Sequence, residues 1–168
     1  KLVFKGISIE DFRKAIVITM KALVEKDPEY SFAAARFTME QLLAEATTVI
    51  FPEQKTQPLQ TTESIDYVNY FPAYVQKAVE LELLHPDLLG FDLEHLAQAI
   101  DANKDKLFNY LSIQTLYDRY FIHSNKVRFE LPQVFWMRIA MGLALKEDDK
   151  NARAIEFYNV LSSMLCMS

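Results

Sequence analysis

Glycine is scarce in this chain, and its scarcity bears on the kinds of binding loop that the chain can form. The 168 residues include only three glycines, Gly6, Gly90 and Gly142, where average usage would give about twelve. Loops that hold a nucleotide phosphate need two or three closely spaced glycines, because only glycine lets the backbone come so near a phosphate. The wide spacing here disfavours a dinucleotide-binding fold, a P-loop and a turn-rich β-sandwich. A helical domain with few tight turns is the remaining expectation.

Cysteine and long apolar runs are also nearly absent. Cys166 is the single cysteine, so an internal disulfide is impossible and no Cys/His cluster has zinc spacing. No apolar run reaches the roughly 18 residues that a membrane-spanning helix needs. The net charge of -5 argues against a nucleic-acid partner. We therefore expect a cytoplasmic protein that binds neither membrane nor nucleic acid, and the free thiol fits a reducing compartment.

The first half of the chain carries clear helix signals. Ser8 is a typical N-cap for a first helix that should end near Lys26, and Pro28 suits the start of a second helix over roughly 29–49. Apolar residues run nearly all the way round the second helix, the pattern of a helix packed on several sides. Residues 51–63 form the clearest loop. The first helix has an apolar face made of Phe12, Ile16, Met20 and Leu23.

The third helix contains a proline. Ser64 is its predicted cap and Leu84 its predicted end, and Pro72 should kink or break it near Tyr70. A short turn follows over residues 85–90. Further helices are predicted from Asp92 through Ile100, over 103–110, over 112–119, over 133–145, and after Asp148 and Asp149, where Ile155, Phe157, Tyr158, Val160 and Leu161 are buried candidates.

Residues 120–130 change period. Their side chains alternate around a polar pair, Ser124 and Asn125, which predicts a β-hairpin whose turn lacks the usual glycine. No repeat of 30 to 45 residues is visible, so a helical solenoid is not expected. The predicted fold is all-α, a multi-helix bundle with one small β-hairpin at about residues 120–130.

The histidines, the cysteine and the acidic residues show no spacing typical of a catalytic or metal-binding site. His85, His95 and His123 lack a second ligand at metal-binding spacing, so we interpret them as surface or hydrogen-bonded histidines. Cys166 sits in an apolar final turn and is expected to be a buried small hydrophobe. Two acidic pairs, Glu10/Asp11 and Asp148/Asp149, stand at helix starts, where they suit the helix dipole. A third pair, Glu80 and Glu82, should point to different faces of its helix. We expect no catalytic, cofactor-binding, substrate-binding or metal residue.

The run from Tyr117 to Phe121 is the most suggestive cluster. Tyr117, Arg119 and Tyr120 could stack on a base and bind a nucleotide in a pocket of the bundle. The simpler interpretation is an aromatic helix-to-strand junction packed into the core. A third possibility for the whole chain is an autonomous helical module for protein interaction, supported by its acidic surface and its proline loop.

Several longer segments resemble one family. The sequences LSIQTLYDRYFI at 111–122, ELPQVFWMRIAMGLA at 130–144 and ARAIEFYNVLSS at 152–163 are similar to the large subunit of class I ribonucleotide reductase. Earlier, Gly6-Ile7, KDPEY at 26–30 and AAAR at 33–36 resemble the opening of that family's N-terminal helical domain. The resemblance covers essentially the whole chain and is weakest in the loop.

The resemblance implies a parent enzyme that reduces ribonucleoside diphosphates to deoxyribonucleotides. Residues 1–168 would be its single N-terminal helical domain, a fragment without the ATP-cone before it and the catalytic barrel after it. The expected partners are the barrel of its own chain, a radical-generating small subunit that holds the metal cofactor, and a second large subunit. The parent would use ATP and dNTP effectors and a dithiol reductant. The resemblance gives Cys166 no catalytic role.

The resemblance also bears on nucleotide binding by this part of the chain. In family members with a cone, a hydroxyl early in the first helix and a basic residue late in the second complete the nucleotide site. Ile9 and Ala44 stand at those places here. Neither side chain can bind a phosphate in that way, so we expect no effector site in residues 1–168.

Overall fold

The described part of the chain folds as a bundle of seven α-helices with one short hairpin, as the sequence predicts. A computed structural model describes residues 6–53 and 65–164. The helices are α1 (Ile9–Leu23), α2 (Glu29–Ile50), α3 (Tyr67–Glu80), α4 (Leu93–Gln98), α5 (Tyr110–Arg119), α6 (Pro132–Ala144) and α7 (Lys150–Ser162). Two 3₁₀ helices, Pro86–Gly90 and Ala102–Leu107, flank α4, and strands β1 (His123–Ser124) and β2 (Val127–Arg128) form the hairpin.

Local capping explains where several helices begin. Ser8, Asp92 and Asp149 each accept a backbone N–H from the residue three positions on, which satisfies a donor that the first turn leaves free. These three caps confirm the predicted starts of α1, α4 and α7. Pro132 occupies the first turn of α6, where its missing N–H costs nothing.

Of the two predicted effects of the interior proline, a kink or a break, the break does not occur. Pro72 lies inside one continuous helix. It lacks the N–H that would bond to the carbonyl of Val68, in the first turn of the helix. Val68 is 49% exposed, so water can reach that turn and the missing bond is tolerated.

Other predicted helix boundaries were wrong by a few residues. Asp66 caps α3 through its bond from the N–H of Asn69, while Ser64 lies outside the described residues. The helix ends at Glu80 rather than near Leu84. Asn109 caps α5, so Tyr110 begins that helix rather than ending the preceding one. Short polar side chains occur at several neighbouring positions in both places, and the sequence does not show which one caps.

The hairpin register differs from the prediction by one residue. Ser124 pairs with Val127, so the turn residues are Asn125 and Lys126. Both have positive φ, 49° and 68°, as a type I′ turn requires. Asn adopts this conformation readily, whereas Lys does so at a cost. The turn therefore begins at Asn125, and Ser124 belongs to the strand.

One continuous apolar core joins α2 to α7. As predicted, α2 is packed on several sides, because it contacts α1, α3, α5 and β2, while α6 packs along α7. Eight α2 side chains are buried: Ala34, Ala35, Thr38, Met39, Leu42, Leu43, Ala46 and Thr47. Within α7 the prediction failed for Val160, which is 53% exposed, and held for Tyr158, which is fully buried. Ile155, Phe157 and Leu161 are half-buried.

The outermost helix, α1, is only partly covered. Its predicted apolar face packs on α2, yet Phe12 is 41% exposed and Ala15 is the only buried residue among its described side chains. No helix in the described ranges is long and apolar enough to cross a membrane.

Candidate functional site: two buried carboxylates and an apolar groove

Three buried tyrosines on α3 organise the polar interior of the bundle. Tyr67, Tyr70 and Tyr74 lie on one face of the helix because they are three and four positions apart. Burial raises the pKa of each hydroxyl well above its ordinary value, so all three stay neutral donors. The hydroxyls donate to Asp105 Oδ2 at 2.7 Å, the Phe129 carbonyl at 2.7 Å and Glu130 Oε1 at 2.6 Å.

Glu130 is a fully buried carboxylate with a cationic partner. The Nε of Arg138 donates to its Oε1 at 2.5 Å and Nη2 donates to its Oε2 at 3.2 Å. The N–H of Ile122 donates to the same Oε2 at 3.0 Å, which fastens the base of the hairpin to α6. Burial alone would lower the pKa of Arg138, but its bonds to Glu130 raise it. The ion pair is therefore closed, with no oxygen left for a substrate.

Asp105 is a second buried carboxylate and has no such partner. It is 6% exposed and accepts hydrogen bonds from Tyr67 and from the Gln133 amide, the latter at 2.8 Å. Burial raises its pKa to about 6, although the bonds from Gln133 and Tyr67 act in the opposite direction. Both carboxylates thus connect α3 to α6, by different chemistry.

An apolar groove opens where α5 faces α6. It encloses about 390 Å³ and is lined chiefly by Leu111, Tyr120, Phe135, Trp136 and Met164. Leu111 is 73% exposed and Tyr120 is 55% exposed. The indole Nε1 of Trp136 is buried and has no acceptor among the described residues. Large exposed apolar side chains gathered around one groove are typical of a contact surface.

The residues that the sequence suggested for chemistry do not assemble into a site. All three histidines are exposed, and His85 accepts the Asp87 N–H at 3.3 Å as a local cap. Glu80 pairs with Lys77, and Asp149 caps α7. In residues 6–53 and 65–164 no group of histidine, aspartate and glutamate could hold a metal ion. Cys166 lies outside the described residues.

Tyr117 belongs to a polar cluster of its own. Its hydroxyl donates to both carboxylate oxygens of Glu45 at 2.9 Å, and the guanidinium of Arg128 lies 4.5 Å from its ring centroid. Burial, and the bond to Glu45, raise the pKa of Tyr117 to about 12. The ring lines a pocket of about 280 Å³ beside residues of α1 and α2.

The structure does not bring the proposed nucleotide-stacking residues together. Tyr120 lines the groove between α5 and α6 rather than the pocket of Tyr117, and Arg119 is exposed. The alternative interpretation, a junction packed into the core, is correct for Phe121, which is 4% exposed, and in part for Tyr117, which is half-buried and packs against the core. Tyr120 instead lies against Phe135 at the surface, with 6.3 Å between ring centroids.

Sequence reasoning missed the two buried carboxylates. Glu130 stands between Phe129 and Leu131, and a lone acid between apolar residues is a usable signal of a buried, paired charge. Asp105 stands between two lysines and looks like part of a solvated helix. Its burial follows only from contacts with residues distant in sequence.

Comparisons with known proteins agree with this architecture. Residues 106–168 match the family model described as ribonucleotide reductase, all-alpha domain. The ribonucleoside-diphosphate reductase subunit alpha of Chlamydia muridarum is 40% identical over 161 residues, which is 95% of this chain and 15% of the relative. The Helicobacter pylori subunit alpha (strain 26695) is 50% identical over 78 residues, 46% of this chain and 10% of the relative. The vaccinia virus large subunit is 25% identical over 160 residues, 95% of this chain and 19% of the relative.

The fold and the matching segments define an all-alpha domain of the ribonucleotide reductase type. The chain belongs to the large-subunit, or alpha-subunit, family of ribonucleoside-diphosphate reductases. It spans about 15% of the length of the first relatives that it matches.

Proposed function

We propose that residues 1–168 form the single N-terminal helical domain of a class I ribonucleoside-diphosphate reductase large subunit, and that this domain is a non-catalytic scaffold. Its partner is the catalytic barrel of the same polypeptide, and an ATP-cone precedes it where the parent has one. The parent enzyme reduces ribonucleoside diphosphates for DNA synthesis in the cytoplasm. It works as a homodimer of large subunits with a radical-generating small subunit that holds the metal cofactor. ATP and dNTPs act as effectors, and a dithiol is the reductant.

The observation that carries the proposal is the exposed apolar groove between α5 and α6. Permanent interfaces are more apolar than transient ones and resemble a core cut in half, and two domains of one chain stay fixed to each other when the surface between them is large and apolar. A groove with Leu111 73% exposed and Tyr120 55% exposed has this character. The partner that the family supplies for such a surface is the rest of the large subunit.

The polar interior supports a scaffold role rather than catalysis. The hydrogen-bonding capacity of Glu130 is used by Arg138, Tyr74 and a backbone N–H, and that of Asp105 by Tyr67 and Gln133. Groups arranged in this way hold helices together. A catalytic acid or base would need a cleft and a substrate within reach.

Thiol labelling in the full-length large subunit tests the proposal. Leu111→Cys places a thiol at the rim of the groove, and Val68→Cys on α3, at a position 49% exposed, is a matched control outside it. If the barrel covers the groove, the thiol introduced by Leu111→Cys should react with a maleimide roughly tenfold or more slowly in the folded subunit than after denaturation in urea. The control thiol should react at similar rates in both states.

If the Leu111→Cys thiol, like the control thiol, reacts as fast in the folded subunit as after denaturation, docking at this groove is contradicted and the autonomous interaction module is favoured.

The non-catalytic role has a separate test. The purified 168-residue chain should not reduce CDP, even with the small subunit and reductant present. Turnover by that chain would overturn this part of the proposal.

A further inference from the structure

The charge on Asp105 is held in the interior by neutral donors. Tyr67 from α3 donates to Oδ2 at 2.7 Å, and the Gln133 side-chain amide from α6 donates to Oδ1 at 2.8 Å. With 6% of its surface exposed, Asp105 has little water to solvate an ionised carboxylate. A buried charge without a counter-ion is costly, and protonation removes that cost.

The charged and titratable groups around Asp105 do not neutralise it. The Nζ of Lys104, its sequence neighbour, donates to Ser162 Oγ at 2.7 Å and lies 4.7 Å from the ring centroid of Tyr158. Asp101, at the start of the same 3₁₀ helix, adds a like charge. The helices packed around Asp105 contribute two titratable groups, the neutral phenols of Tyr67 from α3 and Tyr158 from α7. From α6 its hydrogen-bond partner is the Gln133 amide, which does not titrate. Among the described residues no cation forms an ion pair with Asp105.

A directed chain of hydrogen bonds extends from the carboxylate. Because the Gln133 amide donates to Asp105, its Oε1 faces the other way and accepts from the Tyr158 hydroxyl at 2.9 Å. The Tyr158 oxygen in turn accepts from the backbone N–H of Asp101 at 3.0 Å. The chain therefore connects α6 and α7 back to the 3₁₀ helix that carries Asp105.

This series of hydrogen bonds lies directly behind the walls of the groove. Phe108 follows the 3₁₀ helix Ala102–Leu107 and lines the groove, as do Phe135 and Trp136 of α6. Gln133 sits in the first turn of α6, half a turn before Phe135. The bond between Asp105 and Gln133 thus joins the two elements that set the position of these walls.

We propose that Asp105 is a proton-operated latch, in which uptake of a proton by its buried carboxylate tightens the junction between the 3₁₀ helix Ala102–Leu107 and α6 behind the groove. Loss of the proton leaves an uncompensated charge at the junction and loosens it. This role concerns residues inside the bundle, so it goes beyond the scaffold function and does not depend on which partner covers the groove.

The direction of the pH effect follows from the two states of the chain. Burial raises the pKa of Asp105 from 3.8 to about 6 in the folded state, so the folded chain binds the proton more tightly than the unfolded chain. The resulting stabilisation is fully present below the unfolded pKa and is lost as the pH rises through about 6. At pH 7.5 the latch is ionised and the junction is at its weakest.

The test compares unfolding of the 168-residue chain in urea at pH 7.5 and pH 5.5 with that of Asp105→Asn. Asparagine keeps the acceptor for Gln133 and can donate to the Tyr67 oxygen, so it mimics the protonated acid. The folding equilibrium constant of the wild type should rise about fourfold relative to that of Asp105→Asn between the two pH values. Asp92→Asn is the matched control, since it replaces an exposed cap with another good cap. It should follow the wild type at both pH values.

Parallel pH profiles for the wild type and Asp105→Asn would overturn the latch. If Asp105→Asn fails to fold, the side-chain carboxyl carbon of Asp105 in the wild type, followed by NMR from pH 3 to 8, decides the matter. A midpoint near 6 supports the proposal, and a midpoint below about 4.5 refutes it. Faster amide exchange of the Asp101 N–H at pH 7.5, corrected for the intrinsic rate, is the local signature expected of the loosened junction.

Discussion

Glu130 and Asp105 solve the same structural problem in two ways. Each is a buried carboxylate that accepts a hydrogen bond from an α3 tyrosine and is bonded to a side chain of α6. The difference is Arg138, which gives Glu130 a cation, whereas Asp105 receives only the neutral Gln133 amide. A paired charge is costly to break, and an unpaired one is relieved by a proton. One connection between α3 and α6 is therefore fixed, and the other depends on pH.

Removing the Arg138 cation should have the largest effect, because it leaves Glu130, like Asp105, without a positive partner. Arg138→Met keeps the apolar stem and leaves Glu130 with an uncompensated buried charge. We expect a loss of about 3–5 kcal/mol in the free energy of unfolding at pH 7.5, measured in urea. Arg153→Met is the control, since Arg153 pairs with Glu147 and Glu156 at the surface and should lose less than about 1 kcal/mol. A loss below about 1 kcal/mol for Arg138→Met would show that the ion pair is not what holds Glu130.

The two tyrosines sharpen the comparison at intermediate cost. Tyr67→Phe and Tyr74→Phe each remove one donor to a buried carboxylate, worth about 1.5–3 kcal/mol. The cost of Tyr67→Phe should shrink between pH 7.5 and 5.5, because losing a donor raises the pKa of Asp105 further and the variant gains more from protonation. The cost of Tyr74→Phe should stay nearly constant, since Arg138 still compensates Glu130. Urea unfolding at both pH values measures the difference, and equal pH dependence in the two variants would remove the distinction between the sites.

The smallest predicted effect comes from the hairpin turn, which lies outside the hydrogen-bond networks of Glu130 and Asp105. It tests whether the turn and the Glu130 network contribute independently to stability. Lys126 has φ of 68° in the hairpin turn, so Lys126→Gly should relieve backbone strain. After the greater entropy of glycine in the unfolded chain is subtracted, a gain of about 0.5 kcal/mol is expected. The gain should add to the effect of Arg138→Met within about 0.5 kcal/mol, because the two sites share no partner. Lys146→Gly is a surface control without positive φ and should show no gain.

Features set by neighbouring residues could be predicted from the sequence, whereas features set by contacts between distant residues could not. Ser8 and Asp92 were predicted as caps, and Asp148 and Asp149 as the start of the last helix, because such signals need only the next few residues. The hairpin was predicted, but its register was not, because Asn125 and Lys126 form a positive-φ turn without glycine. The third helix was predicted, yet helical spacing does not show where its tyrosine hydroxyls point.

The candidate site was less accessible to sequence reasoning than the fold. The motif around 130–144 predicted the family, and the family model and the relatives confirmed it. The same motif contains Glu130, Gln133 and Arg138, but a motif does not state which of its polar residues are buried. The pairing of Gln133 with Asp105 spans 28 residues of sequence, and no local pattern encodes it. The groove likewise depends on α5 and α6 meeting in space.

The tyrosine face of α3 also has a consequence for how the chain folds. Its three hydroxyls bond to partners 38, 59 and 56 residues away in sequence. Such distant contacts form late, after the helices have formed locally. A rotation of α3 that kept the three hydroxyls buried but moved them away from these acceptors would cost about 1–3 kcal/mol for each unpaired donor. The three bonds therefore favour one rotation of α3 about its axis over the others.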